Sequence, residues 1–198
     1  MIKLNGKKVN VTMFPDKTSQ VWQLEEIGKE NEIYWEFEHE GELFHLAQLV
    51  FLIRNYTSES IYLTMPYLPY ARQDKEIDNH STFALRPFCQ TINFMKFAKV
   101  TCLDAHSDVA KKYIDWFVSE EPIEEIQMAI NTCKPDLVCF PDVGSLNRYS
   151  NIVIEQVKLP FVVCRKNRNQ QTGEITNMEL LGDPLGKRVL IVDDICDG

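Results

Sequence analysis

Several sequence patterns that mark common enzyme classes are missing from this chain of 198 residues. Its six cysteines form no C-x-x-C pair, so a zinc site and a thioredoxin motif lack support, and reduced, buried thiols in a reducing cytosol are expected. No Walker A sequence, kinase glycine-rich loop or G-x-S-x-G elbow occurs, which disfavours P-loop chemistry and hydrolysis by a serine nucleophile. Any reaction that this protein catalyses must therefore use a different arrangement of residues.

Basic charge and long apolar segments are also scarce. Lys and Arg number 21 against 29 Asp and Glu, and the net charge of −8 disfavours nucleic acid as a partner while favouring cations such as Mg²⁺. No apolar run of about 18 residues and no N-terminal apolar signal segment occurs, so neither a membrane span nor a secretory leader is expected. These absences predict a cytoplasmic protein.

The residues that are present alternate between strand and helix patterns. The composition, 44% hydrophobic and 25% charged, is that of an ordinary globular protein. Period-two apolar residues predict short strands or hairpins over residues 2–38. The later alternation predicts an α/β fold with parallel sheets, divided into residues 1–135 and 136–198. The elements predicted after residue 38 are helices over 43–55, from Ser81 or Thr82 as N-cap to 97, over 122–133 and over 145–157, and strands over 61–66, 100–103, 137–140, 161–164 and 188–192.

The last strand ends in two adjacent acids, Asp193 and Asp194. An apolar, β-branched run of this kind predicts a buried parallel strand, which delivers carboxylates to the sheet edge where open α/β folds bind ligands. Asp197 and Gly198 then begin a turn. Such a turn can hold a ribose through its acids and a phosphate through its backbone amides.

Polar residues follow strands at three further places, and this repetition favours a shared site because the carboxyl ends of parallel strands lie at one edge of a sheet. After the strand at 100–103, Asp104 and His106 lie two residues apart, which puts both side chains on one face if the strand continues. With Asp142 they could hold a hard cation directly or through water molecules, as Mg²⁺ sites do. A plain surface turn is the alternative interpretation.

Two further segments are rich in cations and amides. Arg72, Gln73 and Lys75 offer donors for phosphate oxygens or an adenine edge, and a solvated loop is the alternative. Residues 164–174 follow a strand without apolar periodicity. They are either a mobile lid that brings positive charge to a transferring phosphoryl group or an ordinary exposed loop.

These segments together resemble the ribose-phosphate pyrophosphokinase family in order and spacing over residues 60–198. The resemblance implies two phosphoribosyltransferase-like domains, each a mainly parallel sheet flanked by helices, with the second domain incomplete in this chain. Thr18 and Ser145 depart from the family pattern, where Glu and a second glycine stand. The matching segments are Tyr70-Ala71-Arg72-Gln73-Asp74-Lys75 for Y-A-R-Q-D-[RK], Leu103–His106 for the D-L-H turn, Pro141–Gly144 for P-D-x-G, Val192–Asp197 for the phosphoribosyl-binding strand, and Phe14-Pro15-Asp16 for F-P-D-G-E.

The resemblance implies a Mg²⁺-dependent transfer of the β,γ-diphosphoryl group of ATP to the anomeric hydroxyl of ribose 5-phosphate, which gives phosphoribosyl diphosphate and AMP in a homo-oligomeric enzyme. Alternatives are the same transfer to ADP-ribose in NAD re-synthesis, a phosphoribosyltransferase, and a non-catalytic regulatory subunit. The resemblance implies that Arg72 and Gln73 bind ATP and that Phe14 and Asp16 contact adenine across a subunit interface. It implies metal binding by His106 and Asp142, a catalytic role for His106, and stabilisation of the transition state by Arg168 with Lys166 (or Arg165 in the alternative register). Ribose-phosphate binding is implied for Asp193, Asp194, Asp197 and Gly198.

Overall fold

The computed structural model of the chain describes residues 1–22, 27–78, 80–168 and 175–196, except for the side chains of 156, 166–168 and 175–178. Contacts divide the chain into two compact units, Met1–Glu121 and Pro122–Gly198. Each unit combines a mainly parallel sheet with helices, so the predicted α/β class is confirmed. None of the described helices has both the length and the apolar character needed to cross a membrane.

The first unit is built on a sheet in the order β2-β1-β5-β6-β7-β8. The strands from β5 to β8 are parallel neighbours, and β1 runs antiparallel to β5. A separate antiparallel hairpin is formed by β3 and β4. The elements of this unit are β1 (Ile2–Leu4), β2 (Lys7–Lys8), β3 (Asn10–Met13), β4 (Ser19–Trp22), β5 (Asn31–Trp35), α1 (Gly41–Tyr56), β6 (Ile61–Met65), α2 (Leu85–Phe94), β7 (Lys99–Leu103), α3 (Ala110–Tyr113) and β8 (Phe117–Glu120).

Helix α1 covers the sheet with an apolar stripe, and its Leu46, Leu49 and Ile53 are fully buried. Their spacing of three and four residues places them on one face of a helix, which is why the sequence predicted this element within two residues of its ends. Against them pack inward residues of the central strands, among them Ile33 and Leu63. The core therefore fixes the strand ends from which the polar loops emerge.

The start of α2 differs from the prediction. The helix begins at Leu85 after Ala84, whereas Ser81 and Thr82 were predicted as the N-cap. The hydroxyl of Ser81 instead accepts hydrogen bonds from the backbone amides of Ile77 and Asp78 at 2.7 and 3.0 Å. The serine thus stabilises the loop before the helix, a competing use that is common for this residue type.

The second unit contains a sheet in the order β11-β10-β9-β12, in which β9 pairs in parallel with β10 and β12, and β11 is antiparallel to β10. Its start at Pro122 lies before the predicted division at 135 and 136, because Ile126 of the first helix packs in the same core as Val138 and Phe140. The elements are α4 (Ile123–Cys133), β9 (Leu137–Phe140), α5 (Val143–Asn151), a π-helical turn (Ile152–Val157), β10 (Phe161–Arg168), β11 (Ile175–Leu181) and β12 (Val189–Ile191).

Two strand predictions in this unit need correction. The last strand is parallel to β9 as expected, but among the described residues it is the outermost strand of the sheet rather than a buried one, and Ile191 is 66% exposed. The strand predicted to end at Cys164 continues to Arg168, because it pairs with β11 from Val163 to Arg168. Backbone pairing with a neighbouring strand replaces the apolar periodicity that residues 164–168 lack.

Candidate functional site

The segment that contains Arg72 and Gln73 is a turn between β6 and α2. The Gln73 amide donates to the Tyr70 carbonyl at 3.0 Å, and the Leu85 amide donates to the Gln73 carbonyl at 3.2 Å. Tyr70 itself has a left-handed backbone, with φ of 62°. These constraints present Arg72 and Gln73 to solvent from a defined turn, and Gln73 lines an open groove of about 640 Å³ with the aromatic rings of Phe37 and Tyr70.

The loop after β7 lies beside this turn. The Ser107 hydroxyl donates to Asp74 Oδ2 at 2.7 Å, which joins the loops that follow the parallel neighbours β6 and β7. Asp104 has φ of 49°, and its amide donates to the Glu120 carbonyl at 2.8 Å. The strand therefore stops at Leu103, so the shared face that sequence reasoning derived for Asp104 and His106 does not follow from strand geometry. Asp is one of the few side chains that tolerate this left-handed conformation.

Phe14 and Asp16 lie in the loop of the β3–β4 hairpin. Asp16 Oδ1 accepts hydrogen bonds from the amide and the hydroxyl of Thr18 at 3.0 and 2.7 Å, and these bonds lower the pKa of the Asp16 carboxyl. Phe14 is 41% exposed, so its ring is accessible to another molecule. Thr18, which departs from the family pattern, thus has a structural role: it holds the carboxylate that the resemblance assigns to adenine contact.

In the second unit Asp142 joins the end of β9 to the start of α5. Its Oδ1 accepts from the Ser145 amide at 2.9 Å, and its own amide donates to the Ser145 hydroxyl at 3.2 Å, which is a reciprocal capping box. Ser145 is buried. In the sequence, Ser145 stands out only as a departure from the family pattern. A serine three residues after an Asp is nevertheless a signal for a capping box, because its hydroxyl can bond back to the amide of the N-cap residue.

Asp193 and Asp194 follow β12, which is the parallel neighbour of β9, so they lie at the same sheet edge as Asp142. Partial burial raises the pKa of the Asp193 carboxyl, and the charges of Asp194 and Asp142 raise it further. Arg148, on α5, places Nη1 3.9 Å from Asp194 Oδ2. Sequence reasoning did not identify Arg148 because its acidic partner lies far along the chain.

The remaining predicted site residues are only partly described. Lys166 and Arg168 lie on β10, in register with Met178 and Ile175 of β11, and their side chains are outside the described residues. Asp197 and Gly198 also lie outside the described residues. His106 is half-buried and belongs to the first unit, whereas Asp142 belongs to the second.

No group of three or more His, Cys, Asp or Glu side chains suited to holding a metal ion occurs among the residues whose positions are described. Carboxylates such as that of Asp142 are nevertheless the ligand type that a hard cation prefers. Oxygen ligands with retained water molecules are the usual environment of Mg²⁺. One or two carboxylates are therefore enough for the protein's share of such a site.

The fold is a phosphoribosyltransferase-like α/β fold. A crystal structure of phosphoribosylpyrophosphate synthetase from Mycobacterium smegmatis superposes with a TM-score of 0.74, at 16% sequence identity, and covers 94% of this chain and 62% of that chain. No family model matches the sequence.

Curated proteins with similar sequences include several ribose-phosphate pyrophosphokinases. A ribose-phosphate pyrophosphokinase of Cereibacter sphaeroides is 29% identical over 161 residues, which cover 78% of this chain and 47% of the relative. That of Saccharolobus solfataricus is 26% identical over 200 residues, covering 95% of this chain and 66% of the relative. The chain is thus similar to ribose-phosphate pyrophosphokinases, and it spans about half to two thirds of the length of these relatives.

Proposed function

We propose that this chain carries the nucleotide side and part of the sugar-phosphate side of a ribose-phosphate pyrophosphokinase. The reaction transfers the β,γ-diphosphoryl group of ATP to the anomeric hydroxyl of ribose 5-phosphate and yields phosphoribosyl diphosphate and AMP. One observation carries the proposal: family-like segments follow adjacent parallel strands in both units, β6 and β7 in the first and β9 and β12 in the second. Cytoplasmic location and assembly into a homo-oligomer are part of the same proposal.

On the nucleotide side, Arg72 and Gln73 bind ATP. A guanidinium matches the geometry of phosphate oxygens, and a side-chain amide offers both a donor and an acceptor to an adenine edge. Phe14 and Asp16 supply an exposed ring and an ionised carboxylate from the hairpin, and they contact the adenine bound by a neighbouring subunit.

On the sugar side, Asp193 and Asp194 accept hydrogen bonds from the ribose hydroxyls, while Asp197 and Gly198 begin the 5-phosphate loop. Lys166 and Arg168 stabilise the charge that develops on the transferring phosphoryl group, where positioning and electrostatics provide most of the catalysis. The register supports this role, because Val163 of β10 is level with Phe140, so that β10 continues beyond the point where β9 ends and Asp142 begins.

Mg²⁺, when bound, neutralises charge on the phosphoryl oxygens. His106 in the first unit and Asp142 in the second are each proposed as a Mg²⁺ ligand, directly or through water molecules. The hydrogen bond from the Ser145 amide orients the Asp142 carboxylate that would contact the cation. His106 also acts as a donor to a phosphoryl oxygen.

The test measures AMP and phosphoribosyl diphosphate after incubation of the protein with ATP and Mg²⁺ and with ribose 5-phosphate, ADP-ribose or no acceptor. Product with ribose 5-phosphate supports the proposal, and product only with ADP-ribose would redirect it to the NAD-related transfer. Absence of acceptor-dependent AMP release contradicts both, and would leave a regulatory subunit. Pyrophosphate release from phosphoribosyl diphosphate and a base, without ATP, would identify a phosphoribosyltransferase.

Substitutions test the proposed catalytic role of Lys166 and Arg168. The double change Lys166→Ala with Arg168→Ala is expected to lower kcat while ATP and acceptor KM change little. Lys112→Ala serves as a matched control, because it removes a cation from a helix of the first unit to which no role is assigned. Full activity of the double variant would exclude these two cations from the reaction.

A further inference from the structure

The backbone of Tyr70 adopts a conformation that its side chain disfavours. Its φ of 62° lies in the left-handed region, which large non-glycine residues rarely enter. A residue persists in such a conformation only where its surroundings hold it there. The contacts of Tyr70 therefore show what keeps the Arg72–Gln73 turn in place.

Two kinds of contact hold this side chain. The ring packs between Phe37 and Phe88, with centroids 6.4 and 5.4 Å away. The hydroxyl donates a hydrogen bond to Glu40 Oε1 at 2.7 Å. Burial, followed by the hydrogen bond and charge of Glu40, raises the pKa of Tyr70 to about 12, so the phenol keeps its proton at neutral pH.

Glu40 has no comparable duty in its own helix. It precedes α1 as the N-cap residue, but its side chain makes no capping hydrogen bond. Its polar contact reaches instead across thirty residues to the turn after β6. The Glu40 carboxylate therefore contributes to the turn that contains Tyr70 and not to the capping of α1.

The turn depends on Tyr70 through its backbone. The Tyr70 carbonyl accepts from the Gln73 amide, and the Gln73 carbonyl accepts from the Leu85 amide at the start of α2. Glu40, Tyr70 and Gln73 also line the same groove of about 640 Å³. A rotation of Tyr70 would therefore move the donors of Gln73 within that groove.

We propose that Glu40 is a positioning residue for nucleotide binding, which acts through the Tyr70 hydroxyl to hold the Arg72–Gln73 turn in its binding conformation. The inference rests on the proposed function, because it takes ATP as the ligand of this turn. Glu40 itself makes no contact with the reacting atoms. Its contribution is to the affinity for ATP and not to the chemical step.

The experiment compares Glu40→Ala, Glu40→Gln and Tyr70→Phe with the unchanged protein. Loss of the hydrogen bond in Glu40→Ala and Tyr70→Phe is expected to raise both the KM and the directly measured Kd for ATP by about threefold to tenfold. The kcat and the KM for the sugar acceptor should stay within about twofold of the unchanged protein. Glu40→Gln keeps an acceptor oxygen and should recover most of the affinity.

Two controls separate positioning from general loss of stability. Glu38→Ala removes a neighbouring carboxylate that pairs with the amino terminus, and ATP affinity should not change. The double variant Glu40→Ala with Tyr70→Phe should bind ATP no more weakly than the worse single variant, because both changes remove one shared interaction. Additive losses, or equal losses in all kinetic parameters together with a lower Tm, would overturn the inference.

The direct binding measurement also keeps this inference distinct from the proposed function. If the unchanged protein binds ATP but forms no phosphoribosyl diphosphate, the proposed function fails while the Kd comparison still decides the role of Glu40. An unchanged Kd in both Glu40→Ala and Tyr70→Phe would overturn the positioning role. A protein that binds no ATP would overturn both.

Discussion

Asp142 and Ser145 exchange hydrogen bonds at the first turn of α5, with Ser145 N 2.9 Å from Asp142 Oδ1 and Asp142 N 3.2 Å from the Ser145 hydroxyl. One carboxylate thus has a structural duty at a helix end and, in the proposed function, a duty toward a cation. The two duties depend on different properties, because a cap needs an acceptor oxygen, whereas a cation needs negative charge.

Substitutions at Asp142 should separate these duties. Asp142→Ala removes the cap and is expected to lower the free energy of unfolding by about 1 kcal/mol. Asp142→Asn keeps the acceptor oxygen and should cost less than about 0.5 kcal/mol, yet should raise the Mg²⁺ concentration that half-maximal activity requires. Denaturant unfolding and a Mg²⁺ titration of activity measure both effects. Equal stability losses in the two variants would contradict the capping role.

The raised pKa of Asp193 gives a pH-dependent prediction. Because the folded state holds the Asp193 proton more tightly than the unfolded state, ionisation of Asp193 destabilises the fold above its raised pKa. Asp193→Asn should therefore raise Tm at neutral pH. As pH falls through the raised pKa toward the ordinary value of 3.8, this gain should disappear. Thermal unfolding in EDTA across this pH range measures it.

Asp136 provides a control of opposite sign in the same unit. The backbone amide of Arg188 donates to Asp136 Oδ2 at 2.7 Å and lowers the pKa of this carboxyl. Its ionised form stabilises the fold above the ordinary value, and that stabilisation is lost as pH falls through the lowered pKa. Asp136→Asn should thus lower Tm at neutral pH and converge with the unchanged protein in acid. Matching signs for the two variants would refute the electrostatic assignment.

The hairpin loop gives a prediction about a single titration. Thr18→Val removes the hydroxyl that donates to Asp16 at 2.7 Å, so the pKa of the Asp16 carboxyl should rise toward its ordinary value of 3.8. Thr12→Val, a change of the same kind on β3, should leave it in place. An NMR titration of the Asp16 carboxyl compares the two variants, and an equal response would mean that the Thr18 hydroxyl does not bind the carboxylate in solution.

Thiol reactivity tests the core of the first unit. Burial raises the pKa of Cys89 and of Cys102 to about 12, whereas Cys133 and Cys196 are exposed. A disulfide reagent at mildly alkaline pH should modify the exposed pair quickly and the buried pair only after unfolding, since the thiolate is the reactive form. Mass spectrometry of the labelled peptides distinguishes the four positions. Rapid native labelling of Cys89 would mean that the α2 packing opens readily.

Sequence reasoning predicted what local periodicity and strand-end residues determine. The strands at β6, β7 and β9 and the helix α1 were identified because apolar spacing alone separates strand from helix. The outermost position of β12 among the described strands and the extension of β10 were not predicted, since both depend on which strands become neighbours. The contact of Glu40 with Tyr70 escaped for the same reason: thirty residues separate the partners, and neither stands in an unusual local pattern.

The hydrogen bond between Ser107 and Asp74 joins the loop after β7 to the loop after β6. A ligand that shifts either loop must carry the other with it or break this bond. If the nucleotide binds at Arg72 and Gln73 and the cation at His106, as proposed, the two binding events are expected to be thermodynamically linked, so that each changes the affinity of the other by the same factor. The proposed function then predicts that nucleotide and cation bind to this unit cooperatively, even though the loops after two different strands supply their ligands.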